Sequence, residues 1–285
     1  MIVALSGSTG FIGQSITMKM KQLGWTVRVI DRESFNLPEA EFVEQKIEGA
    51  DVIINLAGAP VSKKWTPLYK EEILNSRVFT TRRIAESINL AEKKPSLFLC
   101  ASAIGIYDNV HIHSESSIKY AQTFLADVCR KWESEALKSD HSTRVVLFRL
   151  GVVLGGEGGA LKKMRLPFSI GLGGKLGNGK QAVSFIHIDD LVEAILFTIE
   201  NPVITGTVNA VAPFPSDNRE FTDKLGKVLD QPAWFTVPSF ALKMVFGEGA
   251  QVLLDGQKVI PEKLMQAGFR YKYPTLQNAL VQIYR

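Results

Sequence analysis

The residues Ile2–Ser6, IVALS, run directly into Gly7-Ser-Thr-Gly-Phe-Ile-Gly13, and this junction restricts the fold more than any other part of the chain. A short apolar strand must end in a sharp turn, and a helix must begin at once. In such a unit Gly7 permits the turn, Gly10 lets the backbone approach a pyrophosphate, and Gly13 allows the helix to pack closely on the strand. The free N–H groups and the positive end of the helix dipole then suit an anion. Gly7, Ser8, Thr9, Gly10, Phe11, Ile12 and Gly13 are therefore the candidate cradle for a dinucleotide. A tight strand-to-helix turn with no ligand is the alternative.

The chain beyond the junction repeats its rhythm. Thr26–Ile30, Val52–Leu56, Leu97–Ala101 and Arg144–Leu150 are near-continuous apolar runs that read as strands covered on both faces. Phe11–Leu23, Pro67–Glu92 and Ala121–Leu137 carry apolar residues at helical spacing. This alternation predicts an α/β protein, a Rossmann-type doubly wound parallel sheet. Two glycine-dense patches, GGEGG and GLGGKLGNG, flank a short basic helix, LKKMR. A strand-like AVSFIHI then leads into a helix over Asp189–Glu200, with Asp189 or Asp190 as its cap. Beyond Pro213 short helical pieces are expected at Phe221–Leu229, Ser239–Phe246, Pro261–Ala267 and Thr275–Ile283. Phe240, Met244 and Phe246 have the spacing of core residues. The expected organisation is a dinucleotide-binding domain over 1–154, to which 182–212 returns. A smaller, mainly helical substrate-side region comprises 155–181 and 213–285.

Composition narrows the class. A chain of 285 residues with 46% hydrophobic and 22% charged residues is an ordinary globular protein. The net charge of +4 comes without a Lys/Arg block of the kind that tracks a nucleic-acid backbone, so no nucleic-acid partner is expected. A slightly basic cleft for an anionic substrate or cofactor is compatible with it. Cys100 and Cys129 are too few for a disulfide framework and read as buried thiols. No basic leader precedes the first strand and no apolar run reaches membrane-spanning length, so a cytoplasmic protein without membrane attachment is expected.

The second strand ends in Asp31-Arg32, eighteen positions after Gly13. A carboxylate there would accept hydrogen bonds from the adenosine ribose and favour NAD. Arg32 could instead hold the 2′-phosphate of NADP as a bidentate donor. Both cofactors stay open, with residue chemistry leaning to NAD.

GSTGFIG, Asn55–Gly58 (NLAG) and Phe185–Ala194 (FIHIDDLVEA) together resemble the extended short-chain dehydrogenase/reductases, the nucleotide-sugar epimerase group. Three further stretches are Gly151–Leu161 (GVVLGGEGGAL), Gly173–Gln181 (GGKLGNGKQ) and Pro261–Leu280 (PEKLMQAGFRYKYPTLQNAL). They are similar to the epimerase family proteins, an atypical branch with a characteristic C-terminal domain. The resemblance covers essentially the whole chain and implies an NAD(P)-binding oxidoreductase or epimerase-like enzyme. It also implies that Leu56, Ala57, Gly58, Arg77 and Ala101 line the cofactor site, with Arg77 where the wider family has a supporting Asn. That branch is associated with NADP more often than NAD.

The wider family transfers its proton through a Tyr whose acidity is raised by a Lys one helical turn on. Glu133 looks like the Glu four residues after that Lys, which puts Cys129 at the Lys position and Leu125 at the Tyr position. No Tyr in this chain has a Lys four residues later; Tyr107 and His111 have the spacing in an expected loop. The resemblance also puts Ala103 where the catalytic hydroxyl would be, next to Ser102. Ser102 and Tyr107 are therefore the candidate catalytic residues, with a strand-end hydroxyl and a packed cleft wall as the competing readings. Arg77 reads either as a phosphate ligand or as a solvated arginine.

His187 alternates with apolar neighbours and reads as a half-buried strand histidine. His111 and His113 lack a Cys or carboxylate cluster that would make a metal site. Lys162, Lys163, Arg165, Lys175 and Lys180 could line a diphosphate pocket or form a solvated basic face. The expected partner is a small molecule, for which an anionic or nucleotide-linked compound is compatible with the charge. Both monomer and homodimer stay open. The competing function is a non-catalytic nicotinamide-dinucleotide sensor whose output is conformation.

Overall fold

The apolar runs form the central sheet with helices on both faces, but the edge run Thr26–Ile30 is not covered on both faces as expected, since Thr26 and Val29 are exposed and only Ile30 is buried. The structure, a computed structural model, describes residues 1–36 and 46–285. β1 (Ile2–Ser6), β2 (Thr26–Ile30), β3 (Val52–Asn55), β4 (Leu97–Ala103), β5 (Arg144–Leu150) and β6 (Gly206–Ala210) form a six-stranded sheet. Every pairing is parallel, and the order is β6-β5-β4-β3-β1-β2. Chain direction across the sheet reverses at β1, which pairs with β2 on one side and β3 on the other. The crevice beyond the C-terminal ends of β1 and β3 is the topological switch point of this architecture.

The two faces of the sheet obey the two-residue period of the strands. Val3, Leu5, Val52 and Ile54 pack with Ile16 and Met20 of α1 (Phe11–Gln22) and with Leu191 and Ile195 of a later helix. Ala4, Ile53, Phe98 and Cys100 pack on the other face against α2 (Pro67–Leu90), through Ile84 and Ile88. Trp132 of α3 (Phe124–Ala136) joins them. Each such buried aliphatic side chain contributes about 1.5–3 kcal/mol relative to exposure.

Side-chain caps fix where the helices start. Thr66 accepts from the Tyr69 N–H with Pro67 in the first turn, so α2 begins as expected. Thr123 accepts from the Ala126 N–H, and α3 therefore starts at Phe124 rather than at Ala121. Before α5 (Ile188–Glu200) the cap is His187, whose Nδ1 accepts from the Asp189 N–H at 3.1 Å. The expected caps have other tasks: both oxygens of Asp190 accept backbone N–H groups, from Lys272 at 2.7 Å and Tyr273 at 2.9 Å.

The basic helix is longer than LKKMR: α4 spans Gly159–Ser169 and contains Pro167. AVSFIHI is split at Ser184 into two short strands, Ala182–Val183 and Phe185–His187, which pair with different partners. The C-terminal region is mainly helical, with α6 (Asn218–Val228), α7 (Ser239–Phe246), α8 (Glu262–Gln266) and α9 (Leu276–Tyr284). Its core contains Leu161, Phe168, Phe185, Phe221, Leu225 and Leu280. The helical spacing of Phe240 and Met244 does not bury them: they are 67% and 76% exposed, and α7 turns Leu242 inward instead.

Among the described residues no helix is long and apolar enough to cross a membrane.

Candidate functional site

The glycine junction forms a close-fitting turn at the switch point. Gly7 has φ +74°, in the left-handed region, and a Cβ there would lie 2.8 Å from the Leu56 carbonyl group. A Cβ on Gly13 would lie 2.2 Å from the Gly7 oxygen, so the first turn of α1 sits directly on the loop before it. Gly10 occupies the N-cap, and no side chain caps this end of the helix. Thr9 and Gly10 are exposed, Ser8, Phe11 and Ile12 are half-buried, and Gly13 is buried. An uncapped helix start beside exposed backbone is the arrangement that receives an anion.

Asn55 joins the second wall of the crevice to the first. Its Oδ1 accepts from Ser6 Oγ at 2.5 Å and from the Ala57 N–H at 3.2 Å, while Nδ2 donates to Thr81 Oγ1 at 2.8 Å. Leu56, Ala57 and Gly58 are thereby held against the glycine turn. Ala101 lies deeper, 3% exposed in the apolar cluster beneath α2 and α3.

At the end of β2 the two neighbouring charges differ in their commitments. Asp31 Oδ1 accepts from both the backbone N–H and the hydroxyl of Ser34 at 2.9 Å, and these bonds hold the carboxyl below its usual range. Arg32 is exposed, and its guanidinium makes no hydrogen bond or ion pair among the described residues.

Phe11 links the glycine turn to the loop before α4. A Cβ on Gly155 or Gly158 would come within 2.5 Å and 2.4 Å of its ring, and one on Gly159 within 3.5 Å. Three glycines of the GGEGG patch are therefore shaped around an aromatic side chain of α1, while Gly156 faces Ile283.

Arg77 reaches across from α2 to the loop after β3. Nη1 donates to the Ile73 carbonyl and Nη2 to the Ala59 carbonyl, both at 3.0 Å. The guanidinium lies 5.3 Å from the centre of the Trp132 ring and so close to Gly58 that a Cβ there would be 2.9 Å from Cζ. Burial pushes its pKa down from the usual arginine value.

Ser102 and Tyr107 are brought together indirectly, in a buried network that the sequence does not announce. Ser102 Oγ donates to Glu133 Oε1 at 2.6 Å. Arg149 grips Glu133 through Nε at 2.8 Å and Nη2 at 2.7 Å, a bidentate pair, and donates from Nη1 to the Tyr107 hydroxyl at 2.8 Å. The Tyr107 hydroxyl donates to Asn209 Oδ1 at 3.0 Å. Burial disfavours the Arg149 charge, but the Glu133 contacts outweigh it and push the guanidinium pKa up. Burial also pushes the Tyr107 phenol up, opposed in part by Arg149. Ser102 is 1% and Tyr107 0% exposed, so both hydroxyls are engaged with internal partners. Arg149 and Asn209 are the members that sequence reading missed. Their signal is weak, a single polar residue within each apolar strand run.

The position that resemblance assigns to Lys holds a buried thiol: Cys129 is 3% exposed and burial pushes it up to about 11, while Cys100 is pushed up to about 12. Leu125 is half-buried in the cluster of Trp65 and Val128. His187 is 2% exposed, and its Nε2 lies 2.8 Å from Gln282 Oε1. With Nδ1 accepting, Nε2 is the protonated nitrogen, and the residue is a structural cap. His111 and His113 both contact Asp108, at 2.8 and 3.2 Å. Among the described residues no group of three or more His, Cys, Asp or Glu is arranged to hold a metal. Lys162, Lys163, Arg165 and Lys180 are exposed, and Lys163 donates to Ser62 Oγ across the crevice.

Comparison with known proteins identifies the relatives of this fold. Residues 237–283 match a domain of unknown function, DUF1731. Epimerase family protein SDR39U1 homolog, chloroplastic, of Arabidopsis thaliana is 39% identical over 298 residues, covering 98% of this chain and 86% of its own. The crystal structure of human epimerase family protein SDR39U1 (isoform 2) with NADPH is 34% identical, covers 100% of this chain and 99% of its own, and has a TM-score of 0.92. MoeE5 in complex with UDP-glucose and NAD shares the fold, with a TM-score of 0.79 at 16% identity, over 100% of this chain and 97% of its own. Residues 3–210, which contain the cradle, the crevice walls and the whole sheet apart from Ile2, match the NAD dependent epimerase/dehydratase family, and this chain belongs to that family.

Proposed function

We propose that this chain binds a nicotinamide dinucleotide, NADP(H) in preference to NAD(H), and uses it in an oxidoreductase or epimerase-like reaction on a small anionic substrate. The uncapped start of α1 at the switch point carries the reading. A pyrophosphate would meet the N–H groups of Gly7–Gly13, with Leu56–Gly58 as the opposite wall. Arg32 favours a 2′-phosphate, because its guanidinium is open while the adjacent Asp31 is occupied by Ser34. The NADPH of the human relative is consistent with this choice.

When bound, the dinucleotide supplies the hydride. The chain's own contribution differs from the wider family's, since Leu125 and Cys129 offer no acid–base pair. In this reading Ser102 and Tyr107 act from behind the site. They anchor Glu133 and Arg149 and so set the floor between β4 and α3, rather than exchanging a proton with substrate themselves. That same observation supports the second reading, a sensor that binds the dinucleotide without turning it over. Such a sensor requires different affinities for the oxidised and reduced forms.

Fluorescence titration with NADPH, NADP⁺, NADH and NAD⁺ tests the proposal. NADPH is expected to bind about tenfold or more tightly than NADH, and Arg32→Ala should remove most of that preference. Binding of neither dinucleotide would overturn the reading. Equal affinity for NADPH and NADP⁺ would exclude the sensor.

A further inference from the structure

We propose that Arg77 is a preorganised receptor for a carboxylate of the substrate. The inference rests on the dinucleotide-dependent function proposed for this crevice and specifies the second ligand. It starts from a charge imbalance. Arg77 is half-buried at the C-terminal edge of the sheet, and burial works against its charge, yet no carboxylate pairs with it among the described residues. Its hydrogen-bond partners there are the carbonyls of Ile73 and Ala59. Two donors are thus used to fix the side chain, leaving three of the five N–H groups of a guanidinium without a partner among the described residues.

The fixing is thorough. One face of the guanidinium lies toward the Trp132 ring, and Gly58 leaves no room beneath it. Such restraint removes the rotamer entropy that a free arginine would lose on binding. By contrast Arg149, buried between β5 and α3, is answered by a bidentate carboxylate from Glu133. The fold therefore neutralises Arg149 with a carboxylate and leaves Arg77, beside the crevice, to an external group. A planar fork with a single charge matches a monocarboxylate; a diphosphate would require further cations at the same point.

The position separates this anion from the dinucleotide's own phosphates. Those belong at the start of α1, beside β1, whereas Arg77 bridges the loop after β3 to α3, which packs beneath β4 and β5. A carboxylate here would lie on the side of the crevice away from Asp31 and Arg32.

The test uses the full chain, labelled with ¹⁵N at arginine Nε, with formate, acetate, pyruvate and oxamate as probes against chloride at equal ionic strength. The Arg77 signal is assigned by its loss in Arg77→Lys. A saturable shift is expected with the carboxylates, both without and with saturating NADPH, and binding should weaken about tenfold or more in Arg77→Gln when monitored by intrinsic tryptophan fluorescence, with Trp132→Phe identifying the Trp132 contribution. Arg77→Lys, which keeps the charge without the fork, should fall between the two. No saturable shift, or carboxylate displacement by NADPH, would overturn the proposal. Because the measurement without NADPH stands alone, failure to bind dinucleotide would refute the proposed function and not this inference.

Discussion

Replacing Glu133 by Leu removes one carboxylate but leaves several groups stranded. Arg149, 3% exposed, loses both arms of its bidentate pair, and Ser102 loses the acceptor for its hydroxyl. Breaking a buried pair from one side costs about 3–5 kcal/mol, and an orphaned buried hydroxyl adds about 1 kcal/mol. Glu133→Leu should therefore lose about 4–6 kcal/mol. In a chain of this size each kcal/mol moves the melting temperature by roughly 2 °C or more, so a fall of about 10 °C is expected. The informative comparison is the double variant Glu133→Leu/Arg149→Met, which removes both charges. It should recover to within about 2 kcal/mol of the parent, because an apolar pair of similar volume avoids the desolvated charge altogether. Tyr107 keeps Asn209 Oδ1 as its acceptor in that background. Urea unfolding of the four proteins gives the coupling directly. A loss below about 1 kcal/mol in Glu133→Leu, or additive losses in the double variant, would refute the view that this network is one electrostatic unit.

Two further outcomes are expected. Burial holds the His187 imidazole below its ordinary pKa, so the folded chain keeps it neutral while the unfolded chain protonates it near about 6.5. Its stability contribution is present above that pH and is lost as pH falls below it. Urea midpoints between pH 7.5 and 5 should drop more steeply in the parent than in His187→Gln, and parallel curves would count against the assignment. Gly13→Ala should abolish dinucleotide binding in the fluorescence titration while far-UV circular dichroism shows the helices retained, since the added methyl meets the Gly7 oxygen at 2.2 Å; unchanged affinity would mean that the turn can open.

How much of the molecule is legible in its sequence depends on whether the determining contact is local. The glycine junction is legible because strand, turn and helix are consecutive, and the parallel sheet because buried strands are apolar at every position. Helix starts are less so: Thr123 moves the start of α3 by its own side chain, and His187 takes a cap for which two adjacent aspartates have the better chemistry. Asp190 is used instead on Lys272 and Tyr273, far along the chain, which no local pattern reveals. β6 is absent from the expected strands because GTVNA has too few apolar residues to stand out, with Thr207 and Asn209 on either side of Val208. The exposed Phe240 and Met244 show the limit of periodicity, which identifies the stripe of a helix but not whether anything covers it. For the site, the cradle is visible while the network around Glu133 and Arg149 is not, because its members come from separate strands, a helix and a loop.

The ring of Phe11 constrains how this chain can change over time. Glycine-dense stretches ordinarily suggest freedom to vary, yet Gly155, Gly158 and Gly159 are the mould of one side chain that lies far away in the sequence. Bulk gained on one side has to be matched by bulk surrendered on the other, so position 11 and the loop are constrained as a pair. The glycine turn with its helix and the loop that follows the sheet are for that reason not independent pieces. A swap between relatives succeeds only when the aromatic ring and its mould travel together.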